Sequence, residues 1–272
     1  MPGKVPERSA CQAEPGGAAP WHKSGTRILV VDDHRTYRML LSALLERLGV
    51  AHQCCCDGRQ ALDAVAVQPF DMIITDCRMP VMDGYAMTRE LRRRERVAGR
   101  PACCVLALTA SPGQLEIQHC LACGMDGCLV KPIGLVKLRE VLRYWLSAPR
   151  GRAHTLERPA RSSGVRRPTR ASLIILFGSW ELVQPLLSSL IQEAQRDLVI
   201  LTQAMARLDA VLISQRLHRL MGSVAFLGDT GLECLAAHLI ERVNQSGVSD
   251  NAVALGDFFQ DVEIYLQYLS RL

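Results

Sequence analysis

Hydrophobic positions in the first half of the chain alternate between short continuous apolar runs and longer segments with helical periodicity. The apolar runs are typical of buried parallel strands, and the longer segments place apolar residues every three or four positions, as amphipathic helices do. Predicted strands occupy 27–31, 51–56, 71–75, 103–109 and 127–130, and predicted helices occupy 35–49, 58–68, 84–96, 112–124 and 134–146. This alternation predicts a doubly wound α/β unit with a five-stranded parallel sheet, spanning residues 26–147.

The second half of the chain shows helical periodicity and no strand pattern. Predicted helices occupy 180–208, 210–227, 231–245 and 251–271. Long amphipathic helices joined by short connections favour an antiparallel bundle. We therefore expect a separate all-α unit over residues 172–272.

An arginine-, proline- and serine-rich linker is predicted between the two units, over residues 148–171. The net charge of the whole chain is +5, and the stretch 147–171 alone carries seven arginines against one glutamate. The basic balance therefore belongs to the linker, which we interpret as a solvated tether; binding of these arginines to a nucleic acid or another anionic surface is the alternative. The C-terminal helices carry no basic recognition helix, so no DNA partner is expected.

Residues 1–25 are rich in proline, glycine and alanine and are predicted to be a disordered leader. They lack the apolar core of a signal peptide, and no apolar run approaches the roughly 18–20 residues that cross a bilayer. We expect a cytoplasmic protein with no membrane span. The 11 cysteines are then expected to be reduced thiols. A zinc or thiol sensor built from His119, Cys120, Cys123 and Cys128 is a competing hypothesis, because two of these cysteines have CxxC spacing.

Charged and hydroxyl residues follow the predicted strands. Asp32 and Asp33 follow the first strand, Asp76 ends the third, Thr109 ends the fourth, and Lys131 follows the fifth. The carboxyl ends of parallel strands meet at one sheet edge, so these side chains should lie together. Crowded carboxylates repel unless a cation lies among them, and their oxygens suit Mg²⁺. With an ammonium and a hydroxyl, they describe a pocket for a transient phosphoryl group, one carboxylate being the nucleophile.

These positions carry four motifs, "ILVVDD" (28–33), "IITDCRMPVMDG" (73–84), "LALTA" (106–110) and "LVKPI" (129–133). Through them the unit resembles the receiver domain of response regulators, which implies a flavodoxin-like fold. The resemblance implies that Asp76 accepts the phosphoryl group. It also implies that Asp33, Asp76 and the backbone carbonyl of Arg78 bind Mg²⁺ directly, and that Asp32 assists through water.

The same resemblance implies that Thr109 and Lys131 hold phosphoryl oxygens, and that the peptide before Pro132 is cis. Cys128 departs from the family pattern, which often has an aromatic residue at this position that moves inward on phosphorylation. With Cys128 at this position no aromatic output switch is expected, whereas phosphorylation of Asp76 is still expected.

The helical unit contains one histidine on a face of small residues. In "LHRLMGSVAFLG" (217–228), His218 and Gly222 are four residues apart and lie on the same helix face. With the flanking "QRDLVILTQAMARLD" (195–209) and "LECLAAHLIE" (232–241), the segment resembles a histidine-containing phosphotransfer (HPt) domain. The resemblance implies that His218 is phosphorylated and that Gly222 makes room for a docked receiver. Met221 replaces the lysine usual in the family.

The order of the two units resembles the C-terminal part of virulence-sensor-type hybrid histidine kinases. We expect a Mg²⁺-dependent phosphorelay in which Asp76 is phosphorylated by a sensor histidine kinase and His218 passes the group to a downstream response regulator. The chain shows no Gly-rich ATP-binding motif, so only self-catalysed phosphoryl transfer is expected of it. The alternative is a phosphorylation-independent scaffold in which Met221 and Cys128 mark the decay of the relay.

Overall fold

The first unit is a five-stranded parallel sheet with helices on both faces. The computed structural model describes residues 25–109, 113–147, 167–225, 227 and 230–272. The strands pair in the order β2-β1-β3-β4-β5, and they are β1 (Arg27–Val31), β2 (Ala51–Cys55), β3 (Met72–Asp76), β4 (Cys104–Thr109) and β5 (Gly127–Val130). The predicted parallel α/β sheet is therefore confirmed, and its order is the flavodoxin-like one.

The five helices of this unit follow the strands in turn, as predicted. They are α1 (Arg35–Arg47), α2 (Gly58–Val67), α3 (Gly84–Ala98), α4 (Gln114–Ala122) and α5 (Leu135–Ser147). Local capping fixes where two of them begin: Asp57 accepts a hydrogen bond from the backbone N–H of Gln60 at α2, and Asp83 accepts one from that of Ala86 at α3.

Alternate residues of each strand enter different hydrophobic cores. Along β1, Ile28 and Val30 belong to the core beneath α1 and α5, whereas Leu29 and Val31 belong to the core beneath α2, α3 and α4. All four are fully buried, which explains why β1 is a continuous apolar run instead of an alternating one.

The second unit is helical. It comprises α6 (Arg170–Phe177), α7 (Trp180–Ala206), α8 (Ala210–Ala225), α9 (Leu232–Ser246), a short 3₁₀ turn (Ser249–Asn251) and α10 (Ala252–Leu269). Helix α6 was not predicted, and it begins inside the predicted linker, where Thr169 and Ser172 form a capping box. The rest of the linker up to residue 166, and the predicted leader up to residue 24, lie outside the described residues.

The two units pack directly against each other. One hydrophobic cluster continues from α1 and α5 into α6, α7 and the rest of the bundle. At one junction, the position that a Cβ of Gly134 would occupy lies only 2.7 Å from the carbonyl oxygen of Leu176, so the start of α5 and the end of α6 touch backbone to backbone. At a second junction, α1 packs against α7, and apolar residues of both helices belong to the same cluster.

Within the described ranges no individual helix combines the length and apolarity of a membrane span, although α6 and α7, which meet at a 108° bend, pass that test as a pair.

Candidate functional site

The strand register gathers the predicted polar residues at one edge of the sheet. Asp76 pairs with Leu108, one residue before Thr109, and Thr109 pairs with Val130, one residue before Lys131. Asp32 and Asp33 follow β1, the neighbour of β3. One carboxylate oxygen from each of Asp32, Asp33 and Asp76 lies within 4.8 Å of the other two.

Lys131 is the cation at the centre of this acidic cluster. Its Nζ lies 2.8 Å from Asp32 Oδ2 and 2.9 Å from Asp76 Oδ2, and it lies 4.1 Å from the centre of the Tyr37 ring. The Lys131–Pro132 peptide is cis, as predicted. Burial lowers the pKa of Lys131, but the charges of Asp32 and Asp76 outweigh burial and raise it, so the ammonium remains charged.

The two acids after β1 are harder to ionise than free carboxyls. Burial, only partly opposed by Lys131, raises the pKa of Asp32 to about 6, and the charge of Asp76 acts in the same direction as burial. Burial also raises the pKa of Asp33. A divalent cation bound among these carboxylates would offset the cost of ionising them. The cluster suits Mg²⁺, because its carboxylate oxygens are close enough together to share an ion at the usual Mg–O distance of about 2.1 Å.

Thr109 and Arg78 border the acidic cluster. Thr109 is buried at the end of β4, and its side chain helps to lower the pKa of Glu116, which burial raises. Arg78 is exposed, and its backbone N–H points at Asp76 Oδ1 at 3.4 Å. Coordination of Mg²⁺ by the carbonyl of Arg78 stays a prediction.

His218 lies at the boundary between the two units. It is half-buried on α8, and its pKa is lowered, first by burial and further by the positive charges of Arg78 and Lys131, with Asp76 opposing them. Charged groups of the acidic pocket, which belong to the other unit, therefore affect the pKa of the imidazole. A lowered pKa leaves the ring neutral at physiological pH, with a free lone pair.

Arg219 connects α8 to the acidic pocket. Its Nη1 lies 2.9 Å from Asp33 Oδ2 and 3.1 Å from the carbonyl oxygen of Asp33. On the bundle side, Nε lies 3.1 Å from Asp197 Oδ2, and Nη2 lies 3.4 Å from Glu193 Oε1. The first residue after His218 thus brings a positive charge to the predicted metal site.

A network of buried polar side chains crosses the boundary between the units, and the sequence did not predict it. His34 Nε2 lies 2.5 Å from Ser223 Oγ, and His34 Nδ1 lies 2.8 Å from Glu193 Oε2. The Glu193 carboxylate also accepts hydrogen bonds from the backbone N–H groups of Arg35 and Thr36 and from the Thr36 hydroxyl. Glu193 therefore caps the start of α1 from the other unit. The available signal was helical phase, because Glu193 lies three residues after Leu190 and one before Ala194 on the buried face of α7.

The structure does not bring the partner unit against Gly222. A Cβ built on this residue meets no heavy atom within 4 Å, even with the two units packed together. The use of this open space by a docked receiver stays a prediction; α8 contacts the α/β unit through Arg219 and Ser223.

Gly222→Ala is accordingly expected to be tolerated. Alanine should stabilise α8 by about 0.5–1 kcal/mol, because it removes the entropic cost of glycine in a helix interior and meets no clash. Urea denaturation measures this gain. A loss of stability would show that the space beside His218 is needed.

The zinc hypothesis is also wrong. Among the described residues, the only group of metal-ligand side chains close enough to share an ion is the aspartate cluster. His119 instead stacks on Tyr85 with ring centres 4.2 Å apart, and the Cys123 sulfur accepts a hydrogen bond from Arg89.

Comparison with known proteins identifies the first unit. Residues 28–143 match the response regulator receiver domain, so this part of the chain is a receiver domain. The chain is 35% identical over 229 residues to the virulence sensor protein BvgS of Bordetella bronchiseptica, an alignment of 79% of this chain and 18% of BvgS. It is also 35% identical over 202 residues to the sensor protein EvgS of Escherichia coli K12, covering 74% of this chain and 16% of EvgS.

The chain thus spans under a fifth of the length of these relatives. The receiver domain of the sensor histidine kinase PA1611 of Pseudomonas aeruginosa PAO1, crystallised with a magnesium ion in its active site cleft, is 36% identical. The match covers 46% of this chain and 100% of that receiver, with a TM-score of 0.41.

Proposed function

We propose that this chain carries out two consecutive steps of a phosphorelay, with residues 26–147 as the receiver and residues 172–272 as an HPt domain. In the first step, an oxygen of Asp76 attacks the phosphorus of a phosphohistidine on a sensor kinase, and the bond from phosphorus to the kinase nitrogen breaks. In the second step, an imidazole nitrogen of His218 attacks the phosphorus, and the bond to the Asp76 oxygen breaks.

The observation that carries this proposal is that α8 docks beside the acidic pocket, where Arg219, the residue after His218, lies 2.9 Å from Asp33. Phosphoryl transfer requires the acceptor nitrogen to approach the donor in line, so the two groups must face each other. The charges of Asp76, Arg78 and Lys131 act on His218 across the boundary between the units. The alignment with BvgS adds support, because it spans 229 residues and is therefore longer than the receiver match at 28–143.

Each residue of the pocket has a role in this scheme. Asp33, Asp76 and the carbonyl of Arg78 would hold Mg²⁺, with Asp32 acting through water; bound Mg²⁺ neutralises charge on the phosphoryl oxygens. Lys131 and Thr109 hold the remaining oxygens, and the neutral imidazole of His218 is the nucleophile. A separate response regulator then takes the group from His218, and we propose that this exchange occurs in the cytoplasm.

Labelling with radioactive acetyl phosphate and Mg²⁺ tests the proposal. The wild-type chain should first gain alkali-labile phosphate on Asp76 and then alkali-stable, acid-labile phosphate on His218. Asp76→Asn should gain neither. A wild-type chain that incorporates no phosphate would favour the phosphorylation-independent scaffold.

A further inference from the structure

Arg219 is held in place from both units. On the bundle side its guanidinium pairs with Asp197 and Glu193, which are both buried. On the receiver side it pairs with Asp33. Its neighbour one turn earlier, Arg216, contacts Asp197 at 3.1 Å and no residue of the receiver among the contacts of the described chain. The two arginines therefore share a helix and one partner, but only Arg219 enters the acidic pocket.

The charges around the pocket differ between the docked and undocked states. Without Arg219, three carboxylates face Lys131 alone, and the remaining two negative charges match a dication. With Arg219 on Asp33, the guanidinium already occupies the carboxylate that Mg²⁺ would take and neutralises part of its charge. A guanidinium and Mg²⁺ that share one carboxylate also repel each other directly.

We propose that Arg219 is an internal counter-ion of Asp33 that competes with Mg²⁺, so that docking of the helical unit and metal binding oppose each other. This inference rests on the part of the proposed function that makes Asp33 a Mg²⁺ ligand. Because coupling between two binding events is reciprocal, Mg²⁺ weakens docking by the factor by which docking weakens Mg²⁺. Docking of the HPt domain would weaken Mg²⁺ binding to the receiver without excluding it, and Mg²⁺ would help to release that domain toward another partner.

Isothermal titration of the full chain with MgCl₂ tests the competition. Arg219→Gln should bind Mg²⁺ about five- to tenfold more tightly than wild type, within the usual range of coupling between sites. Arg219→Lys, which keeps the charge, should stay close to wild type. Arg216→Gln should change Mg²⁺ affinity less than about twofold, because the ion pair of Arg216 is with Asp197, which lies outside the acidic cluster. Thermal melts verify that each variant is folded.

Hydrogen exchange supplies the reciprocal measurement. The backbone N–H groups of Arg35 and Thr36 are hydrogen-bonded to Glu193 only when the units are docked. Mg²⁺ should accelerate their exchange in wild type, and the acceleration should be smaller in Arg219→Gln.

The outcomes separate this inference from the proposed function. An unchanged or weaker Mg²⁺ affinity in Arg219→Gln, or an equal gain in Arg216→Gln, overturns the competition and leaves the relay intact, since the titration involves no phosphate. Failure of wild type to bind Mg²⁺ at all overturns both the competition and the proposed metal site.

Discussion

His218→Gln is expected to leave the phosphoryl group on Asp76 and to reduce transfer to a downstream regulator by about a thousandfold or more, as removal of an enzyme nucleophile does. Glutamine has similar polarity, but its amide nitrogen is not nucleophilic. The acidic pocket should be unaffected, because Asp32, Asp76 and Lys131 bond to one another and not to His218. The variant should therefore take up label from acetyl phosphate like wild type and retain it in alkali-labile form.

The matched control is His238→Gln, since His238 is exposed on α9 and lies on the same unit as His218. This control should transfer at the wild-type rate. Because the two units are packed within one chain, the step from Asp76 to His218 should also be first order, with a rate that does not change on dilution. A rate proportional to protein concentration would show that the receiver phosphorylates a second molecule. Alkali-stable label in His218→Gln would place the second step on another residue.

The receiver was predictable from the sequence because each of its features depends on local patterns. The apolar run Arg27–Val31 predicts a buried strand, and parallel pairing then brings the residues after each strand to one edge. The contacts of Lys131 with Asp32 and Asp76 follow from that topology and from the need to neutralise buried carboxylates. The placement of His218 required a second inference, from helical phase and a family resemblance.

The contacts between the two units could not be predicted in this way. His34, Glu193 and Ser223 lie far apart in sequence and belong to different units, so no periodicity relates them. Their pairing depends on how α7 and α8 dock on α1, which is set by the shape of two complete hydrophobic surfaces. The same limit applies to Gly222: a glycine in a helix interior indicates space, but it does not reveal which residues of α8 the partner contacts.

Glu193→Ala is expected to weaken the docking of the two units without unfolding either of them. Glu193 is buried and accepts hydrogen bonds from the start of α1 while contacting His34. Removal of one partner from a buried, charged hydrogen-bond network costs about 2–5 kcal/mol. A loss of 2 kcal/mol corresponds to roughly a 30-fold weaker docking equilibrium, and the transfer from Asp76 to His218 should slow by up to that factor. Labelling of Asp76 by acetyl phosphate should be unchanged, because Glu193 lies outside the acidic cluster.

Glu263→Ala, which removes an exposed carboxylate from α10, is the control and should transfer like wild type. The pH dependence of stability gives a second, independent measure. Although burial raises the pKa of Glu193, its contact with His34 and the hydrogen bonds from Thr36 lower it to about 2. Because the unfolded chain then binds more protons, this group contributes about 3 kcal/mol above pH 4.5, and the contribution is lost as the pH falls toward 2. Urea denaturation between pH 2 and pH 5 should therefore show a steeper loss of stability in wild type than in Glu193→Gln. Parallel pH profiles for the two proteins would mean that Glu193 does not join the receiver to the helical unit in solution.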